Sequence, residues 1–156
     1  RQIASNLLKE YIDAYLPGRN VIVLGDLNDD IAESESNNVF QLIIDDPQNY
    51  LFTDMGIAQG PSSDWSFPNW PSHLDHILIT NELFDMFDDQ GSDVMTIKVD
   101  EYMSGGFNAY DYNISDHRPV ALMLYTGGST IEGDINSDGV VDIIDIVQII
   151  SIILNS

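Results

Sequence analysis

The chain has 156 residues, 44% apolar and 10% aromatic, with 26 Asp plus Glu against 5 Lys plus Arg, no Cys and a formal charge of −21. That apolar content excludes a disordered acidic tail and suits one domain of roughly 100 to 150 residues plus an appendage. Without Cys there is no disulfide framework, thiolate zinc site or thiol nucleophile, and the charge speaks against binding through a basic groove, so an anionic substrate would need a metal ion.

Apolar residues at Ile3, Leu7, Leu8, Tyr11, Ile12, Tyr15 and Leu16 have helical spacing, and Pro17-Gly18 ends the run. Val21-Ile22-Val23-Leu24 is a short β-branched and apolar run, read as a strand buried on both faces, which delivers Gly25-Asp26-Leu27-Asn28 at its carboxyl end. Residues 37–44 suggest a short helix, and Pro47 to Pro71 reads as irregular, with Gly56, Gly60, Pro61, Pro68 and Pro71 as breakers. Asp75 to Thr80 predicts a second buried strand, Asn81 a cap for a helix over Glu82–Phe87, and Val94 to Val99 an alternating strand. Gly105-Gly106 reads as a loop before a last strand, Pro119 to Tyr125, and residues 126–130 (Thr-Gly-Gly-Ser-Thr) as a flexible linker. The expected organisation is therefore a domain over 1–125, a linker over 126–130 and a separate module over 131–156.

In that module, oxygen-bearing side chains stand at loop positions 1, 3, 5, 9 and 12 (Asp134, Asn136, Asp138, Asp142 and Asp145), with Gly139 at position 6. Ca²⁺ takes six to eight oxygens at about 2.3 to 2.6 Å, and the glycine allows the turn that lets Val140 offer its carbonyl. An Asp/Asn/Gly-rich turn that only starts a helix seldom fixes all of these positions together. The segment resembles one repeat of a dockerin, with Asp145 in place of the usual long glutamate. That resemblance implies Ca²⁺ as ligand, a secreted, extracellular protein, and a cohesin-like partner or second dockerin-like repeat against the apolar 143–154 helix.

Three motifs carry the chemistry of the first domain: Gly25-Asp26-Leu27-Asn28, Ser72-His73-Leu74-Asp75-His76-Ile77 and Ser115-Asp116-His117-Arg118-Pro119-Val120. Each places carboxylate, amide or imidazole at or just before a strand end, and convergent groups of these kinds bind a hard cation and polarise a phosphate. Singly they would read as turn formers, a strand cap and a packed histidine. His73 and His76 flank Asp75, and strand alternation should turn both away from the face Asp75 uses. Trp65, Phe67 and Trp70 are read as core aromatics that could also line a substrate mouth.

Taken in order, the motifs resemble the endonuclease/exonuclease/phosphatase superfamily over about residues 1–125. The resemblance implies an α/β fold, half of a two-sheet β-sandwich flanked by helices, and metal-dependent hydrolysis of phosphoester bonds. By the same resemblance, Asp26 orients or deprotonates the attacking water, Asn28 contacts the phosphate and Asp75 pairs with the catalytic His117. Asp116 associates with a catalytic Mg²⁺ or Mn²⁺. The family's early Asn and Glu metal ligands precede Gly-Asp-x-Asn, where this chain has only 24 residues before Gly25. The chain is accordingly expected to be the carboxyl-terminal half of a secreted phosphodiesterase or nuclease, inactive by itself and without a membrane span. The alternatives are a phosphomonoesterase or sphingomyelinase-like enzyme and a non-catalytic, calcium-dependent attachment module.

Overall fold

A computed structural model describes residues 1–126, 135 and 143–154. The chain divides into two compact units, Arg1–Leu124 and Tyr125–Ser156. In the first, helix α1 (Gln2–Tyr15) closes where Leu16 donates its amide to the Ile12 carbonyl, and Gly18 then turns the chain at φ +66°. Strands β1 (Ile22–Asp26), β2 (Tyr50–Phe52) and β3 (Asp75–Thr80) form an antiparallel sheet in the order β1-β3-β2. Strands β4 (Asp93–Thr96) and β5 (Val120–Met123) form a second antiparallel pair.

The central strand explains how the layers are held. Side chains alternate across a strand, so Leu78 of β3 joins Ile12, Ile31, Phe40, Ile43 and Phe52 on the α1 side, while Ile77 and Ile79 pack with Val120, Leu122 and Leu124 on the β5 side. Every β3 residue from His76 to Thr80 is buried, which is why that strand reads as a continuous apolar run. The arrangement is a mixed α/β fold with two small antiparallel sheets.

Several local expectations are corrected. β1 is not buried on both faces: it lies at the edge of its sheet, its exposure alternates, and Leu24 is 68% exposed. Pro47–Pro71 is not irregular throughout but contains β2, helix α3 (Met55–Ala58) and a 3-10 turn at Ser62–Asp64. The short helix expected over 37–44 is confined to α2 (Gln41–Ile44), and the helix expected after Asn81 splits into a 3-10 turn, Asn81–Leu83, and α4 (Phe84–Phe87). β4 stops at Thr96, before a 3-10 turn at Val99–Tyr102. The Gly105-Gly106 loop starts α5 (Gly106–Asn113), whose buried Tyr110 gives it a hold that no apolar periodicity announces.

In the second unit, α6 spans Ile143–Leu154 and exposes apolar side chains on several sides, Ile143, Val147 and Leu154 among them. The expected calcium ligands Asp134, Asn136, Asp138, Val140 and Asp142 lie outside the described residues, as does most of the expected linker. Asp145 is described: it is buried, and its Oδ1 accepts the Ile135 amide at 2.8 Å. Among the described residues no helix is long and apolar enough to cross a membrane.

Candidate active site

β1 and β3 run antiparallel with Asp26 opposite Asp75, so both carboxylates project from one face at the same end of the ladder. Asp75 shares the face of Ile77, the one toward β5. The segment just before β5 carries His117 to it, and the ring Nδ1 donates to Asp75 Oδ2 at 2.7 Å. A carboxylate accepts only, so this bond fixes the proton on Nδ1 and leaves Nε2 for another partner. Among the described residues nothing bonds to Nε2, and the two side chains retain 22% and 20% of their exposure, as a site open to substrate requires.

The backbone around His117 is held on three sides. Ser115 Oγ accepts the His117 amide at 3.0 Å, and the Tyr110 hydroxyl donates to the His117 carbonyl at 3.2 Å. Arg118, only 8% exposed, forms a bidentate pair with Asp100, Nε to Oδ1 at 2.9 Å and Nη2 to Oδ2 at 2.6 Å. Its Nη1 donates to the Ser63 carbonyl at 2.9 Å. The planar fork suits this role because two parallel bonds fix direction as well as distance.

The other motif residues come from the β1 end. Asp26 Oδ1 accepts the Asn28 amide at 2.8 Å, a turn that holds Asn28 at φ +56°, where Asn is among the few non-glycine residues commonly found. The Arg1 guanidinium donates to the Asn28 carbonyl and pairs with Asp29. Asp116 is exposed and, among the described residues, has neither hydrogen bond nor ion pair. Like charges directly across a ladder repel, yet among the described residues no basic side chain pairs with Asp26, and only His117 with Asp75. Asp26, Asn28 and Asp116 carry oxygen donors of the kind that fits a hard divalent cation such as Mg²⁺ or Mn²⁺, but among the described residues Asp26, Asp75 and Asp116 do not form a group close enough to share one ion.

A second cluster of metal-ligand type fails that fit. Asp54, His73 and His76 are buried, with ligand atoms within 4.8 Å of one another. Yet His73 accepts the Ser66 amide on Nδ1 at 3.3 Å and meets Asp54 Oδ2 through Nε2 at 3.0 Å. His76 faces Asp54 Oδ2 through Nδ1 at 2.6 Å and the Asp29 carbonyl through Nε2 at 2.8 Å, two acceptors that call for ring protons. Asp54 Oδ1 takes the Ile77 amide at 2.8 Å. Each ring nitrogen already has a protein partner, so the cluster is a closed hydrogen-bond network rather than a coordination site. Burial alone would raise the Asp54 carboxyl, but the bonds from His73, His76 and Ile77 outweigh it and hold the group at about 2.

Sequence reasoning missed Asp54 and Ser66, which lie where Gly and Pro obscure periodicity. The signal that could have found Asp54 is chemical: two histidines bracketing Asp75 and turned into the core require a buried acceptor. Of the aromatics, Phe67 stacks on the His117 ring at 4.7 Å, Trp65 donates to the Ile57 carbonyl, and Trp70 stands 77% exposed.

No curated protein and no solved structure matches the chain. The model of the endonuclease/exonuclease/phosphatase family matches residues 1–117, the stretch that contains Asp26, Asn28, Asp75, Asp116 and His117. Membership suggests metal-dependent phosphoester hydrolysis, which the hard oxygen donors and the open imidazole can serve. The chain belongs to the endonuclease/exonuclease/phosphatase family.

Proposed function

We propose that this chain supplies the Asp75–His117 half of a phosphodiesterase site. The observation that carries the reading is the 2.7 Å bond from His117 Nδ1 to Asp75, which aims a backed imidazole into solvent with Nε2 unclaimed among the described residues. A carboxylate on Nδ1–H stabilises the imidazolium form, so a second proton taken up at Nε2 can be presented to a phosphoryl oxygen or leaving group as charge develops there. Asp26 orients or deprotonates the attacking water, and Asn28 hydrogen-bonds a phosphate oxygen. Asp116 offers oxygens that would help to hold Mg²⁺ or Mn²⁺, which when bound neutralises an anionic substrate beside a surface of net charge −21.

The test is hydrolysis of bis-p-nitrophenyl phosphate and of DNA with Mg²⁺ by the product of the full coding sequence, beside Asp26→Ala. The reading expects hydrolysis that the substitution abolishes while the fold persists. An Mg²⁺-loaded full product with no phosphoesterase activity would sink it. A p-nitrophenyl phosphate assay separates the phosphomonoesterase alternative.

We also propose that residues 131–156 form a secreted protein's calcium-dependent attachment module. The oxygen spacing from Asp134 to Asp145 supports this, as does the buried Asp145 carboxylate in contact with Ile135. Calorimetric titration with Ca²⁺ tests it: the reading expects one site lost in Asp138→Ala, and heat unaffected by that substitution would refute it. A non-catalytic attachment protein would bind Ca²⁺ in this way yet ignore Asp26→Ala.

A further inference from the structure

Ser66 is fully buried between the two segments that carry the paired groups. Its Oγ accepts the Leu74 and Asp75 amides at 3.1 and 3.2 Å, at the start of β3, and its carbonyl accepts the Arg118 amide at 2.7 Å, one residue beyond His117. Its own amide donates to His73, which ties it to the closed Asp54 network. The next residue, Phe67, lays its ring against the His117 imidazole with an interplanar angle of 27°. One dipeptide therefore touches the backbone of Asp75, the backbone after His117 and the His117 ring.

We infer that Ser66 is a positioning residue for Asp75 and His117, acting through its hydroxyl and assisted by the Phe67 ring. The backbones of Asp75 and His117 reach the site from segments 42 residues apart, and among the described residues no ladder joins β3 to the segment before β5. Ser66 provides the missing link by accepting from both: its hydroxyl fixes where Asp75 leaves the turn, and its carbonyl fixes where His117 enters. A positional error of about 1 Å at such a pair lowers turnover by up to about a hundredfold. The inference rests on the proposed hydrolase reading, and its test has an arm that does not.

The first arm follows the imidazole protons by NMR in the chain as it stands, in wild type, Ser66→Ala and Ser66→Cys. Both substitutions keep the backbone bonds to His73 and Arg118 and remove or weaken only the hydroxyl acceptor. The expected result is a protected His117 Nδ1–H signal in wild type, lost to exchange in the variants, while the His76–Asp54 signal persists and reports an intact fold. The second arm measures hydrolysis by the full coding product and expects kcat to fall about ten- to a hundredfold with KM within about threefold. A His117 signal unchanged in folded Ser66→Ala overturns the inference, and if that variant does not fold, an unchanged signal in Ser66→Cys does so. Loss of the signal in a full-length protein without hydrolase activity upholds the positioning role and counts against the hydrolase reading alone.

Discussion

Asp54→Asn removes one charge from the closed network and changes little else in size. The carboxylate is completely buried and accepts from His73, His76 and the Ile77 amide. An Asn side chain keeps one acceptor oxygen, so its NH₂ faces either the Ile77 amide or the two ring donors, at least one N–H loses its partner, and the carboxylate charge is gone. Bonds to a charged acceptor contribute roughly 1.5 to 3 kcal/mol each, and opening a buried pair costs about 3 to 5 kcal/mol. We take about 3 to 5 kcal/mol, a large part of the roughly 5 to 15 kcal/mol that holds an ordinary domain. At roughly 3 to 5 °C per kcal/mol, the melting temperature should fall by about 9 to 25 °C.

The same carboxylate sets a pH signature. Its folded value is about 2, below an ordinary value of 3.8, so its stabilisation is complete above the unfolded value and is lost as pH falls through the folded one. The difference in unfolding free energy between wild type and Asp54→Asn is read by urea titration from about pH 5 downward. It should shrink by on the order of 2 kcal/mol between about pH 4 and 2. A loss under about 1 kcal/mol at pH 7, or a difference that grows on acidification, would refute the network as described.

Zn²⁺ should leave the unfolding midpoint of the Arg1–Leu124 unit unchanged, because each ring nitrogen of His73 and His76 already has a protein partner; a Zn²⁺-dependent rise abolished by His73→Ala would contradict that. Arg118→Lys should lower stability by about 2 to 4 kcal/mol in thermal unfolding, since an ammonium cannot make the two parallel bonds to Asp100 or reach the Ser63 carbonyl as well. Gly25→Ala should cost about 1 to 3 kcal/mol although nothing lies within 4 Å of the added Cβ: the backbone stands at φ +141°, and the strain falls on the residue before Asp26. Urea titration checks it, and a neutral result would mean that β1 relaxes there without consequence.

What the sequence disclosed follows physical lines. β3 was legible to its ends because a central strand with both faces covered becomes an unbroken apolar run, Ile77 to Ile79, bounded by polar residues. β1 misled because the same composition in Ile22–Leu24 stands at a sheet edge, and composition does not report who covers a face. Asp26 and Asp75 could be placed at strand ends, whereas their opposition across one ladder depends on an antiparallel register that no local signal encodes. Ser66 was invisible for a related reason: a small polar residue among prolines looks like any turn, and its role arises only when two distant amides converge on its hydroxyl.

The central claim is that Asp75 and His117 act as one unit on a phosphoester. The measurement that bears on it most directly is a double-mutant cycle of Asp75→Asn and His117→Ala, read as kcat/KM for bis-p-nitrophenyl phosphate by the full coding product with Mg²⁺. Coupled acid–base groups give non-additive losses, so each single variant should lose about a hundredfold or more and the double variant scarcely more than His117→Ala alone. Full activity in either single variant, or losses that multiply, would contradict it.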